Sequence, residues 1–255
     1  MIDRYPGLDE EFSRALAALV DSGVLPTLEH ASRRMSVPIW WHHPSAEHEA
    51  LKKSGSVCFV HTGERLIAIS AAHVHRDYEA IRHDVPDVVC QLGAHTFQPH
   101  AQLIDIDDRL DLVTYAVSEW QVMAADADIH NSRSWPPSID PKAVCLVGGW
   151  PWRLTTSRAE ASDFQFLHFL GVPDSHSDKN LGLVTATASS IAWGPRALPS
   201  GLQLGGMSGG PFFTLHETGL VHLTLTGIVY EYHEEFEIVF GRPLSLINAD
   251  GSLVR

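Results

Sequence analysis

From residue 54 onward, short apolar runs recur, separated by Gly, Pro, Asp and Asn turns. Ser56-Val57-Cys58-Phe59-Val60 reads as a strand, Thr62-Gly63 as a turn, and Arg65-Leu66-Ile67-Ala68-Ile69 as the return strand. Further runs follow at Val88-Val89-Cys90, Leu103-Ile104, Leu112 to Val117, Val144 to Val147, Phe164 to Leu170, Leu181 to Val184 and Leu223 to Tyr230. Many short strands between turn residues predict an all-β sandwich or barrel. The first fifty residues carry a different period. Phe12, Leu16, Leu19 and Val20 fall on one helical face, with Asp9 and Glu10 at its start and Gly23 past its end. A second short helix is expected through Leu28 to Arg34, and Val37-Pro38-Ile39-Trp40-Trp41-His42-His43-Pro44 then breaks the pattern. The expected division is a helical extension over 1–53 and a β domain over 54–255. The extension reads as an arm packed on the first half of that domain, anchored by Trp40 and Trp41 because large aromatic side chains gain most from burial. The other reading is a regulatory or partner-binding arm.

Three motifs carry chemistry. Ser70-Ala71-Ala72-His73-Val74 puts a histidine just after an apolar strand. Arg109-Leu110-Asp111-Leu112-Val113 puts an acid inside an apolar run, and Gly206-Met207-Ser208-Gly209-Gly210-Pro211 puts a serine in a glycine-rich turn. A serine hydroxyl attacks a carbonyl well only when a base removes its proton. An imidazole titrates near neutrality and suits that task. A buried carboxylate on the other ring nitrogen fixes the tautomer and steadies the imidazolium. Asp111 is the candidate, ahead of Asp105, Asp107 and Asp108. Each motif alone is common; the set, in the order His73, Asp111, Ser208 with separations of 38 and 97 residues, is not.

The set resembles a trypsin-like (chymotrypsin-fold) serine protease, of the bacterial, cytosolic type, over about residues 54 to 240. The resemblance implies an all-β chain of two six-stranded antiparallel β-barrels, over about 54–135 and 136–255, following the helical extension. Val144 to Pro151 resembles the stretch that opens the second barrel. It also implies a serine endopeptidase acting through an acyl-enzyme, with an oxyanion hole formed by the Gly206 and Ser208 N–H groups. By the same resemblance Leu202 falls at the floor of the specificity pocket, and Tyr230, Glu231 and Tyr232 lie on the strand that binds substrate backbone. Tyr232 stands where a glycine often leaves the pocket open, so a narrowed, apolar pocket is expected. Met207 stands where digestive relatives keep the acid that pairs with a new N-terminus, so no such activation step is expected. Two rivals remain: a non-catalytic module that binds a peptide or partner on the same fold, and an esterase or acyl transferase using the same triad.

Composition narrows the setting. A net charge of −13 disfavours non-specific nucleic-acid binding. No run of about eighteen apolar residues exists to span a membrane, and Asp9, Glu10 and Arg14 interrupt what would be a signal peptide. Three cysteines are an odd number, and Val74 stands where secreted relatives place a half-cystine, so reduced buried thiols and a cytoplasmic location are expected. No cofactor is implied. The sixteen histidines, His42, His43, His48, His95 and His100 among them, lack zinc-site spacing, so no metal is expected. The acidic run Glu231, Glu234, Glu235 and Glu237 reads as a solvated loop; the other reading is that, following the substrate strand, it favours basic groups further along a peptide. A peptide or protein substrate is the implied partner, and the oligomeric state is left open.

Overall fold

The computed structural model describes residues 23–42, 54–132, 134–140, 142–158, 161–173, 175–184, 190–193, 204–217, 221–233, 235 and 238–255. The helix expected over Phe12 to Val20 lies outside them, as do His43, His48, Leu202, Glu234 and Glu237.

The first sheet holds β1 (Ser36–His42), β2 (Ser54–His61), β3 (Leu66–Ser70), β4 (Val89–Leu92), β5 (His95–Phe97), β6 (Leu103–Asp107) and β7 (Leu112–Ala116), in the order β5-β4-β1-β2-β3-β7-β6. A short β8 (His130–Asn131) pairs parallel with β2. The second sheet holds β9 (Cys145–Gly149), and β10 (Thr156–Arg158) and β11 (Ala161–Asp163) form a separate hairpin beside it. Its remaining strands are β12 (Leu167–Gly171), β13 (Ser175–His176), β14 (Leu181–Val184), β15 (Ser190–Trp193), β16 (Pro211–Glu217), β17 (Val221–His233) and β18 (Ile238–Pro243), in the order β13-β14-β18-β17-β16-β9-β12-β15. The architecture is thus the expected all-β one, built on two curled, largely antiparallel sheets. Two details differ. Each sheet has eight strands among the described residues rather than six. The first begins at Ser36, inside the stretch assigned to the helical extension, because Val37, Ile39 and Trp41 alternate inward and pair with both β2 and β4.

Among the described residues four α-helices decorate the sheets: α1 (Leu25–Arg34), α2 (Ala72–Asp84), α3 (Pro99–Gln102) and α4 (Glu119–Ala124). The helix expected over Leu28 to Arg34 is α1, starting three residues earlier with Pro26 in its first turn, where a missing N–H costs nothing. It rests on the seam rather than on the first sheet alone. Leu28 is buried between the sheets, and Ser32 Oγ meets His168 Nε2 of β12 at 2.9 Å. Arg34 reaches Asp126 and Asp128 on the first-sheet side. Trp41 is buried in the first core against Tyr78, while Trp40 is half-buried and donates to the Gly93 carbonyl at 3.0 Å.

Three apolar cores organise the molecule. One lies inside the first sheet (Phe59, Ala68, Val113, Tyr115 and neighbours) and one inside the second (Val147, Phe169, Met207, Val229 and neighbours). The third joins them: Val60, Ile67, Ile69 and Leu112 of the first sheet pack with Leu146, Leu170, Phe213, Leu225 and Ile228 of the second, closed by Leu246, Ile247 and Leu253 of the C-terminal segment. No helix among the described residues is long and apolar enough to cross a membrane.

His130 is a polar pin in this seam. It is buried, its ring lies edge-on to Phe213, and its Nε2 accepts the Leu225 N–H at 3.2 Å. Burial pushes its pKa down to about 4, so the folded protein holds it neutral where the unfolded chain, near 6.5, would take a proton. Stability should therefore fall as pH drops from about 6.5 to about 4, by up to about 3 kcal/mol from this group. Denaturant midpoints across that range should show the loss, and His130→Gln should flatten it. An unchanged pH slope in that variant would remove His130 from the account.

Candidate active site

The histidine motif sits where β3 hands over to α2. Ser70 ends the strand, Ala71 is extended, and α2 begins at Ala72 without a capping side chain of its own. The first N–H groups of such a helix lack acceptors. Asp111 supplies one from a distant turn: its Oδ1 accepts the His73 backbone N–H at 2.8 Å, and its Oδ2 meets His73 Nδ1 at 2.7 Å. One carboxylate thus caps the helix, places negative charge at its positive end and holds the ring. A carboxylate against Nδ1 selects the tautomer with the proton there and the lone pair on Nε2. His75, two residues on, turns inward instead. It is buried, meets the Tyr115 hydroxyl at 3.0 Å, and burial lowers its pKa.

Asp111 is aimed by its turn. Asp107 Oδ1 accepts the Arg109 and Leu110 N–H groups, folding the chain between β6 and β7. Asp111 then takes φ 52, a left-handed conformation in which Asp and Asn are enriched among non-glycine residues. The other candidate acids are engaged elsewhere. Asp105 accepts the Leu253 N–H and pairs with Arg255, Asp107 caps its own turn, and Asp108 pairs with Arg76.

The serine loop is sewn to the first sheet by Ser56. The Ser56 N–H donates to the Ser208 carbonyl at 2.7 Å. Its hydroxyl accepts the Trp150 N–H at 3.0 Å and donates to the Gly206 carbonyl at 2.9 Å. Its own carbonyl accepts from Ser70 Oγ at 2.8 Å. The Met207 carbonyl accepts the Gly210 N–H, and the Gly209 N–H donates to the Val229 carbonyl. The carbonyls of Gly206, Met207 and Ser208 are therefore all turned into the protein. The N–H groups of Gly206 and Ser208 have no acceptor among the described residues. Gly206 has φ +99, and Met207 is buried in the second core rather than poised for an ion pair.

His73, Asp111 and Ser208 line one open cleft of ≈ 830 Å³, together with Leu204, Tyr230, Glu231, Tyr232 and Arg242. His73 is about half exposed there (48%), and Asp111 less (21%). Ser208 Oγ donates to the Tyr230 carbonyl at 3.4 Å. That carbonyl is available because the β17–β18 ladder slips a residue between Val229 and Glu231, a bulge that leaves Tyr230 out of the pairing. Glu231 is exposed, and Tyr232 packs against the second core. Burial raises the Tyr230 pKa, with the Arg242 cation working against that rise. Motif reading missed three contributors: Ser56, the Tyr230 bulge and Arg242, which stacks on the Tyr230 ring. His95 and His100 are engaged elsewhere, His95 edge-on to Trp120 and His100 with Glu79. The three cysteines are buried free thiols, and burial raises the pKa of Cys58 and Cys90.

No protein-family model matches the sequence, and a search of curated proteins finds no match. Among solved structures, the serine protease domain of the Sesbania mosaic virus polyprotein is similar over 82% of this chain and 88% of its own, at 12% identity and a TM-score of 0.41. A second structure comes from work on the aromatic interactions that drive coupled folding and binding of the intrinsically disordered Sesbania mosaic virus VPg protein. It is similar over 82% of this chain and 85% of its own, at 11% identity and a TM-score of 0.42.

The serine loop has little steric tolerance. A Cβ on Gly209 would stand 1.8 Å from the Ser56 carbonyl oxygen, at φ +90. Gly209→Ala should cost about 3 kcal/mol or more in unfolding free energy, read from denaturant titration. Gly63→Ala, with open space around it but φ +102, should cost about 1 kcal/mol. Equal losses would contradict the seam described above.

Proposed function

We propose that this chain is a serine endopeptidase of the trypsin-like class that works through an acyl-enzyme intermediate. The observation that carries the reading is the grip of Asp111 on both the backbone and the ring of His73, in a cleft shared with Ser208. In the proposed cycle the Ser208 hydroxyl turns about its Cα–Cβ bond from the Tyr230 carbonyl toward His73 Nε2. It gives up its proton and attacks the peptide carbonyl. The oxyanion that forms is received by the Gly206 and Ser208 N–H groups. The imidazolium, steadied by Asp111, returns the proton to the leaving amine. A water molecule deprotonated by the same ring then releases the acyl group. Tyr230 to Tyr232 align the substrate backbone. Three free thiols support an enzyme that works without a disulfide, in the reducing interior of a cell.

The residue before the cut should be small or apolar, with Tyr232 limiting its size. Leu202 is the proposed pocket floor by the resemblance, and Leu204 and Gly205 line the cleft shared by His73 and Ser208. Glu231 is the group that would change this. If its carboxylate turns into the pocket, cleavage follows Lys or Arg and Glu231→Gln abolishes it. One observation favours a second reading, a peptide-binding module without turnover: the Ser208 hydroxyl donates to the Tyr230 carbonyl.

A fluorophosphonate separates the two. The wild-type protein should label at Ser208, and Ser208→Ala should not; a folded wild-type protein inert to the probe would favour the binding module. Asp111→Asn is the sharper test of the triad. Asn tolerates the left-handed backbone and can still cap His73, yet it favours the wrong tautomer. Turnover should drop by about 10³- to 10⁴-fold with the unfolding midpoint nearly unchanged. A drop of less than about tenfold would strip Asp111 of its role.

A further inference from the structure

We infer that Arg242 makes the cleft selective for an acidic side chain on the peptide that lies along Tyr230–Tyr232. The inference rests on the protease reading for the peptide's placement, but not on turnover. Arg242 stands on β18 opposite Ile228. Its guanidinium carbon lies 3.8 Å from the centre of the Tyr230 ring, the residue whose carbonyl meets Ser208. Three contacts fix it there. Nε donates to the Leu110 carbonyl at 2.6 Å, and Nη1 donates to the Lys179 carbonyl at 3.0 Å and to Asn180 Oδ1. Asn180 Oδ1 also accepts from the Tyr230 hydroxyl at 3.2 Å.

All three acceptors are neutral. The other two arginines of the cleft are matched to carboxylates, Arg76 to Asp108 and Arg109 to Asp107. Among the described residues no carboxylate pairs with Arg242, and its Nη2 donates to nothing. Asp111, next to Leu110, is taken up by His73. The cleft therefore holds one guanidinium that is oriented in advance, half-buried, stacked on an aromatic face and left with one nitrogen's hydrogens unspent. A planar fork held in place loses little freedom when a carboxylate docks, and the resulting hydrogen bonds are charge-assisted. A basic side chain in the same place meets a fixed like charge.

Two arms test this. The first profiles cleavage by wild-type protein over a peptide library. One position on the acyl side of the cut should favour Asp or Glu over Asn or Gln by about tenfold, and that preference should shrink as salt is raised. Arg242→Gln should erase it. Arg242→Lys, which keeps the charge and loses the fork, should keep part of it. The second arm uses Ser208→Ala and measures binding of fluorescent peptides that differ only by Glu, Gln or Lys at that position. Cleavage with no acid preference in either arm overturns the role of Arg242 and leaves the protease reading standing. Acid-selective binding with no cleavage by the wild type does the reverse. If Arg242→Gln fails to fold, the salt dependence in wild type and the Arg242→Lys profile decide the matter, and an acid preference unmoved by salt overturns the inference.

Discussion

Ser56 is the residue on which the site depends. It lies on β2 of the first sheet, yet its N–H and hydroxyl both serve the junction with the second, while its carbonyl accepts from Ser70 of its own sheet. The serine loop has no regular secondary structure of its own, so its backbone groups must find partners elsewhere or be left unsatisfied in the interior. Ser56 takes the carbonyls on either side of the Met207–Ser208 pair. With the carbonyls committed inward, the N–H groups of Gly206 and Ser208 find no acceptor among the described residues. The hydroxyl is buried, so replacing it with a methyl group would strand two backbone groups, a loss of about 1–3 kcal/mol for each. That loss falls on the geometry of the loop as well as on stability.

Asp111 does for the first sheet what Ser56 does for the loop. A helix that begins without a capping residue has spare N–H groups and a positive end, and the turn between β6 and β7 delivers a carboxylate to both. The left-handed backbone at Asp111 is part of the cost of that delivery, and the Asx turn at Asp107 together with the Arg242 contact to Leu110 helps hold it. The same carboxylate that stabilises the start of α2 sets the His73 tautomer. The start of α2 and the orientation of the His73 ring are coupled at one side chain.

The sheet content was legible because apolar alternation and turn residues are local signals. The motifs around His73, Asp111 and Ser208 were legible too, as unusual residue types beside apolar runs and glycines, and the structure places all three on one cleft. What stayed hidden was contact between distant segments. Ser56 reads as an ordinary strand serine, and nothing in Val229-Tyr230-Glu231 announces a bulge. Arg242 carries no motif around it, and its relation to Leu110 exists only after the two sheets meet. The strand at Ser36–His42 was missed for a different reason: Pro38 and the adjacent tryptophans and histidines look like a break. Yet the Pro38 carbonyl accepts the Gly93 N–H, and Val37, Ile39 and Trp41 point inward in strand alternation. Burial in the first core overrode the local cue.

The cleft gathers its groups from both sheets, His73 and Asp111 from the first and Ser208, Tyr230 and Arg242 from the second. No disulfide fixes one sheet to the other among the described residues, so beyond the connecting chain their relative position is set by the central core and by the polar pins across it. The core alone is non-directional; it would tolerate a slide of one sheet over the other that kept the apolar area buried. The hydrogen bonds of Ser56, His130 and Arg242 would not, because each loses its geometry within a few tenths of an ångström. Apolar burial thus supplies the bulk of the attraction between the halves, while a few buried polar groups choose the register. A slide of one side chain's width would keep much of the apolar area buried, at a cost in packing, and would separate Ser208 from His73. The site is therefore more sensitive to the pins than the fold is, and a lesion in one of them should reach the cleft before it reaches the core.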